Sequence, residues 1–239
     1  MKKIVCKNYE ELSKCGADII AEQIKAKPDS ILGLATGSTP IGLYKCLREM
    51  PLDFSNISSF NLDEYYPISK ENDQSYCYFM KDNLFNHIQV KSTDIPNGEA
   101  SDAEAECRRY DEAIEQAGGI DLQLLGLGVN GHIGFNEPTD NFPATVHTVQ
   151  LTESTINANA RFFASRDDVP THAYTMGIGS IMKAKRVLLV VNGEKKAQAV
   201  KDCFFGPIKP QAPGSILQLH PDFTLVADEA ALSLVKDLL

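Results

Sequence analysis

The sequence lacks a long apolar run, and its first residues do not read as a secretion signal. No stretch approaches the roughly 20 consecutive apolar residues that a membrane-spanning helix needs. Glu10 and Glu11 follow the opening residues too early for the apolar core of a signal peptide to build up. We therefore expect a cytoplasmic protein that has no membrane partner.

Paired cysteines and an excess of basic residues are also missing. The six cysteines form no C-x-x-C pair, so neither a metal site nor a disulfide framework is predicted. The chain has 32 acidic and 23 basic residues, a net charge of −9. This balance argues against nucleic acid as a partner, although a few local cations and N–H groups can still hold a small anion. We expect no cofactor.

What the sequence does contain is an alternation of short apolar strands with helical segments. This order predicts an α/β fold: a three-layer, open, mostly parallel twisted sheet of Rossmann-like type with helices on both faces, forming a single domain over residues 1–239. The predicted strands cover residues 31–35, 57–62, 121–127, 186–191 and 224–227, and the main helices residues 9–25, 40–50, 76–85 and 195–204. In such sheets, ligands bind at the carboxyl ends of the strands.

A candidate anion site follows the first of these strands, at the sequence TGSTP of residues 36–40. Thr39 is a suitable N-cap and Pro40 a suitable first helical residue. Gly37 allows backbone to approach a ligand closely, and free N–H groups at a helix start favour an anion. An ordinary capped turn explains the same residues equally well.

Two lysines shift this balance toward a phosphate site. Lys195 and Lys196 fall at the start of a predicted helix, where the helix dipole disfavours cations unless an anion is also present. Solvent-exposed lysines are the simpler alternative. Arg161 is a further candidate for a two-pronged phosphate contact, although an arginine beside aromatic residues is often structural.

The sequence also contains G-x-G-x-x-G at residues 126–131, which imitates a dinucleotide-binding motif. That motif requires a helix to start at the glycines. Residues 132–138 contain a further glycine and a proline, which disfavour a helix. We therefore reject a dinucleotide site and predict an irregular active-site loop.

Acid–base chemistry is indicated by two groups of residues. Asn130, His132 and Glu137 lie within one loop, where the carboxylate can orient the imidazole and stabilise its charged form. Asp63 and Glu64 follow the predicted strand at residues 57–62, so that Asp63 points into the ligand crevice. A loop histidine satisfied by backbone and a solvated strand-end acid are the structural alternatives. A base and a separate acid suit proton transfer next to a carbonyl.

Six segments, in order along nearly the whole chain, closely resemble the glucosamine-6-phosphate deaminase family. They are residues 34–40, 60–65, 130–138, 160–163, 193–197 and 217–220. The N-E-P ending of residues 136–138 is the most specific of these, since the related 6-phosphogluconolactonases diverge after their Gly-His step.

The resemblance implies an enzyme that converts glucosamine 6-phosphate and water into fructose 6-phosphate and ammonia. It implies that Asp63 moves a proton from C2 to C1, and that His132, supported by Asn130 and Glu137, opens the sugar ring. The implied phosphate ligands are Ser38, Arg161 and Lys196, with Thr36, Gly37 and Thr39 lining their loop and Glu64 and Tyr76 as further substrate contacts. Where some family members carry aspartate this chain has Asn130, which leaves Glu137 as the one charged partner of His132.

Three alternatives stay open at this level: a 6-phosphogluconolactonase, a sugar-phosphate-sensing module of a regulator, and a deaminase for the galactosamine epimer. Asp63 together with the N-E-P ending argues against the lactonase, and the chain shows no helix-turn-helix for the sensor. Beside the longer, allosterically regulated members the chain is short at its C-terminus. We therefore expect an unregulated monomer or small homo-oligomer whose partner is a small-molecule sugar phosphate.

Overall fold

The computed structural model describes residues 1–151, 153, 156, 160, 163 and 165–238. Helices and strands alternate through most of this range. In chain order the elements are β1 (Lys2–Cys6), α1 (Tyr9–Ala26), β2 (Ile31–Leu34), α2 (Ser38–Glu49), β3 (Ser58–Asn61), β4 (Asp63–Tyr66), α3 (Tyr76–Met80), β5 (Ser92–Asp94), α4 (Ala103–Gln116), β6 (Leu122–Gly126), β7 (His147–Gln150), β8 (His172–Thr175), α5 (Ile178–Met182), β9 (Arg186–Val191), α6 (Ala197–Phe204) and β10 (Phe223–Asp228).

Within the described residues the strands form two sheets. The larger has seven parallel strands in the order β1-β10-β9-β6-β2-β3-β5. The smaller is antiparallel, in the order β4-β8-β7. The two are joined directly, because Leu62 accepts the backbone N–H of Met176 at 2.9 Å just where β3 ends and β4 begins.

Successive side chains of a strand point to opposite faces of the sheet. Alternate residues of the central strands therefore pack in two separate hydrophobic cores, one on each face. On β9, Leu188 and Val190 pack in the core that contains side chains of α1 and α2. Val187, Leu189 and Val191 pack in the core that contains side chains of α4, α5 and α6. Helices therefore cover both faces of the sheet, and the predicted three-layer architecture is confirmed.

Five strands of the described residues were not predicted from the sequence, β1, β4, β5, β7 and β8, and two of them show why. No strand was predicted at residues 63–66, but β4 forms there because Asp63–Tyr66 pairs with β8. β1 is an edge strand whose first three residues are largely exposed, so it lacks the apolar run that marks the inner strands. Both elements depend on partners distant in sequence, which a local pattern does not reveal.

All seven parallel strands direct their carboxyl ends to the same edge of the sheet. The chain proceeds outward from β2 to β3, and outward in the opposite direction from β6 to β9. The junction of β2 and β6 is therefore a topological switch point, the position where such sheets bind ligands. Among the helices of the described residues, none combines the length and the apolarity that a membrane span requires.

Candidate active site

A cavity of about 680 Å³ opens at this switch point. The segments that follow four neighbouring strands of the sheet contribute to its wall, and α3 closes one side with Tyr76. The wall residues are Ala35, Thr36, Gly37, Ser38, Thr39, Pro40, Leu62, Asp63, Tyr76, Gly126, Leu127, Gly128, His132, Gly134, Phe135, Asn192, Gly193, Glu194, Lys195 and Lys196. The structure thus brings together most of the residues predicted from the sequence.

Two glycine turns at the rim place helix starts beside the cavity. Gly37 (φ 101°) and Gly193 (φ 88°) adopt a backbone conformation that favours glycine. One correction arises here: Gly37, not Thr39, occupies the N-cap position, and α2 begins at Ser38. Thr39 lies in the first turn, where its hydroxyl donates to Oδ1 of Asn192 at 2.7 Å. The predicted N-cap is therefore a link between the two turns.

Other side chains hold these turns in place from outside the cavity. The buried carboxylate of Asp228, at the end of β10, accepts the N–H of Gly193. The hydroxyl of Tyr9 donates to the backbone carbonyls of Ser38 and Thr39 and accepts the N–H of Gly42. The roles of Asp228 and Tyr9 were not predicted from the sequence, although Asn192-Gly193 is a recognisable turn signal.

Positive charge at the rim comes from Lys195 and Lys196. Lys195 is exposed, whereas Lys196 is partly buried and burial lowers its pKa. The attraction between an ammonium group and a bound anion is stronger where the ammonium has lost part of its hydration than it is in open water. Arg161, the other cation predicted for this site, lies outside the described residues.

Asp63 lies on the cavity wall as the first residue of β4, and its side chain is buried. No described residue donates a hydrogen bond to its Oδ1. Burial and then the adjacent charge of Glu64 raise the pKa of Asp63 well above its usual range. Because its conjugate acid is weaker, the ionised carboxylate is a stronger base than an exposed aspartate.

Glu64 has a different environment from Asp63 and does not line the cavity, in contrast to the predicted substrate contact. Its carboxylate accepts three backbone N–H groups at 2.8 Å, those of Tyr65, Tyr76 and Cys77. Successive residues of a strand point to opposite sides, which separates these two neighbouring carboxyl groups. Tyr76 does line the cavity, as predicted.

His132 faces the cavity from the loop after β6 and is held from behind. Its Nδ1 lies 3.0 Å from Oε1 of Glu137. Asn130 donates to the other Glu137 oxygen and accepts the backbone N–H of His132 at 3.2 Å. Although burial opposes it, contact with His132 and Asn130 holds the pKa of Glu137 below its usual value, so this carboxylate is ionised at neutral pH.

The loop that carries His132 is shaped by two further residues. A side chain at Gly128 would collide with the imidazole ring, so glycine is required there for packing. The buried amide of Asn136 donates to the carbonyls of Ile133 and Met176, which ties the loop to the junction of the two sheets. No helix occurs in residues 126–139, all of which are described, so the predicted irregular loop is confirmed.

Fold and site together define a class of protein: a doubly wound α/β protein whose switch-point cavity combines two helix starts and two lysines at its rim with a buried carboxyl group and a carboxylate-paired imidazole. Comparison with known proteins agrees. The sequence model of the family described as glucosamine-6-phosphate isomerases/6-phosphogluconolactonase matches residues 8–225.

Individual relatives are similar over nearly the whole chain. A protein of Clostridioides difficile named glucosamine-6-phosphate deaminase is 57% identical, over 98% of this chain and 96% of its own length. A solved monomeric glucosamine-6-phosphate deaminase is 48% identical with a TM-score of 0.92, covering 98% of this chain and 100% of the other. A 6-phosphogluconolactonase from Trypanosoma cruzi shares the fold at 19% identity, with a TM-score of 0.79 and coverage of 98% and 97%. The chain belongs to the glucosamine-6-phosphate isomerase/6-phosphogluconolactonase family.

Proposed function

We propose that this protein converts glucosamine 6-phosphate and water into fructose 6-phosphate and ammonia. The observation that carries the proposal is one cavity wall that presents both a buried carboxyl group, Asp63, and the imidazole of His132 paired with Glu137. A base and an acid in one cavity suit an aldose–ketose isomerisation. The names of relatives 48–57% identical to this chain support the same reaction.

The phosphate group of the substrate binds at the rim, in this proposal. Ser38 lies at the start of α2, and free N–H groups of a helix start attract an anion. Lys196 approaches from the opposite turn and supplies the positive charge. The hydrogen bond between Thr39 and Asn192 fixes the spacing between the two halves.

Replacement of Lys196 tests this arrangement. Lys196→Ala is expected to raise KM for glucosamine 6-phosphate about ten- to a hundred-fold, the usual worth of a hydrogen bond to a charged group. Its activity toward unphosphorylated glucosamine should equal that of the wild type. Lys201→Ala, which removes an exposed lysine from α6, is the control. Equal KM values for the Lys196 variant and the control would contradict the assignment.

The reaction begins with opening of the sugar ring. His132 in its charged form protonates the ring oxygen, and Glu137 stabilises that charge. The open chain then has an aldehyde at C1 beside the C–H and amino group of C2. Asp63 takes the proton from C2 while the C1 oxygen regains the proton that the C1 hydroxyl lost on ring opening. This leaves an enolamine, and Asp63 then returns the C2 proton to C1.

The final steps consume water and release ammonia. Reprotonation at C1 converts the enolamine into an iminium ion at C2. Water adds to that carbon, the nitrogen leaves as ammonia, and a ketone remains at C2. One water enters and one ammonia leaves, so atoms and charges balance without an oxidant.

The proposal is tested by incubation of the purified protein with three substrates: glucosamine 6-phosphate, galactosamine 6-phosphate and 6-phosphogluconolactone. Ammonia and fructose 6-phosphate should form in equal amounts from the first. If only galactosamine 6-phosphate released ammonia, the assigned substrate would change but the proposed reaction type would stand. Hydrolysis of the lactone without ammonia release from either amino sugar would overturn the proposal.

We further propose that the enzyme acts as a monomer without allosteric activation. The solved relative described as monomeric aligns over 98% of this chain. Analytical ultracentrifugation should give a single monomeric species, and initial rates should depend hyperbolically on substrate concentration. A hexamer with sigmoidal kinetics that N-acetylglucosamine 6-phosphate relieves would contradict this.

A further inference from the structure

We propose that Glu64 is a positioning residue that holds Tyr76 in the cavity wall by binding the first N–H groups of α3. The proposal rests on the function above, because it assigns a role in the same site. It replaces the expectation that Glu64 contacts the substrate. The carboxylate instead joins the strand that begins with the base Asp63 to the helix that begins with Tyr76.

The contacts of Glu64 are those of a helix cap supplied from another element. Oε1 accepts the N–H groups of Tyr65 and Tyr76, and Oε2 accepts that of Cys77, each at 2.8 Å. Tyr76 and Cys77 are the first two residues of α3, whose N–H groups have no partner within the helix. Glu64 is 2% exposed, so water does not compete for these donors.

The ring of Tyr76 connects α3 to both halves of the catalytic site. Its ring centroid lies 4.8 Å from that of Tyr65 on β4 and 6.1 Å from that of Phe135, to which its ring is nearly parallel. Phe135 belongs to the loop that carries His132. Burial first, and then the proximity of Tyr65 and Asp63, raise the pKa of Tyr76 well above its usual value. A shift of α3 would therefore displace a side chain that lies next to the base.

Titration of Glu64 should weaken this cap within the physiological range. Burial raises its pKa to about 7 against the opposing effect of the three N–H donors. The ionisable side chains on its own strand and on the packed elements α3 and β8 are Asp63, Tyr65, Tyr66, Tyr76, Cys77, Tyr78, His172 and Tyr174, and these elements contain no lysine or arginine. As pH falls through about 7, the carboxylate gains a proton and one oxygen becomes a donor that faces an N–H. Burial favours the neutral form of the Glu64 carboxyl group, so protonation does not lower the stability of the folded state. Protonation therefore weakens the cap on α3 without destabilising the fold.

The decisive variant is Glu64→Gln, which keeps the shape but places an NH₂ group against one of the three N–H donors. We expect kcat/KM to fall about ten-fold at mildly alkaline pH, as for loss of one buried hydrogen bond. In a Tyr76→Ala background the same substitution should have little further effect, since the effects of residues that act through one another are not additive.

Glu106→Gln is the matched control, because Glu106 is also buried and accepts the N–H of Asn97, away from the cavity. It should lower the melting temperature, through its contacts with Arg109, and leave kcat/KM unchanged.

A spectroscopic measurement separates this proposal from the proposed function. The sequence contains no tryptophan, so the near-ultraviolet circular dichroism reports mainly on tyrosine packing. The wild type should show a transition with a midpoint at about pH 7 that Glu64→Gln abolishes. Absence of ammonia release by the wild type would refute the function and leave this transition as the test of the cap. An unchanged kcat/KM in Glu64→Gln, or losses that add to those of Tyr76→Ala, would overturn the proposal.

Discussion

Asp63→Asn is expected to reduce kcat for ammonia release by roughly 10³-fold or more, the upper part of the range for loss of a general base. The amide has the shape of the carboxylate but cannot accept the C2 proton. Because Oδ1 receives no hydrogen bond from any described residue, the substitution breaks no contact recorded for that atom. Binding of fructose 6-phosphate should therefore be retained while turnover is lost.

Two measurements distinguish loss of the base from general damage. Asp53→Asn, at an exposed aspartate distant from the cavity, should behave as the wild type does. The rise of wild-type kcat/KM with pH should have its midpoint above the usual range for aspartate, since burial and Glu64 raise the pKa of Asp63 and only the ionised form is a base. An Asp63→Asn variant with more than a tenth of wild-type kcat would refute the assignment.

His132→Gln is expected to lower kcat/KM by about 10²- to 10³-fold and to change which step limits the rate. Without an acid at the ring oxygen, opening of the sugar ring becomes slow, whereas proton transfer by Asp63 is still possible. The wild type should show a primary isotope effect with substrate deuterated at C2. In His132→Gln this effect should approach unity, because ring opening precedes the isotope-sensitive step.

The matched control is His87→Gln, which alters an exposed histidine outside the cavity. Glu137→Gln is informative as well, because it leaves the imidazole in place but removes the charge that stabilises its protonated form. Its kcat/KM should fall less than that of His132→Gln. An undiminished isotope effect in His132→Gln would place the histidine in proton transfer instead of ring opening.

Much of the site could be predicted because its residues follow buried strands. The apolar runs that form β2, β3, β6 and β9 indicate where each strand ends, and parallel strands bring those ends together. Asp63, His132 and Lys196 could therefore be assigned to one cavity from the sequence. The glycine and proline after residue 131 excluded the dinucleotide helix on local grounds alone.

The supporting residues were harder to predict because their roles depend on distant partners. Glu64 follows Asp63 in sequence, and only the pairing of β4 with β8 shows that it points away from the cavity toward α3. Thr39 has the signature of an N-cap, yet the turn at Gly37 starts α2 earlier and directs the hydroxyl to Asn192. Asp228 is 35 positions from the glycine that it holds.

Whether deamination is coupled to isomerisation is tested by following deuterium from C2 of labelled glucosamine 6-phosphate during turnover by the wild-type protein. We expect equal amounts of ammonia and fructose 6-phosphate, with the deuterium recovered at C1 of the product or in the solvent. Release of ammonia with glucose 6-phosphate that keeps deuterium at C2 would show displacement without isomerisation. That result, or the absence of ammonia from well-folded protein, would show that the protein does not catalyse the proposed isomerisation and deamination.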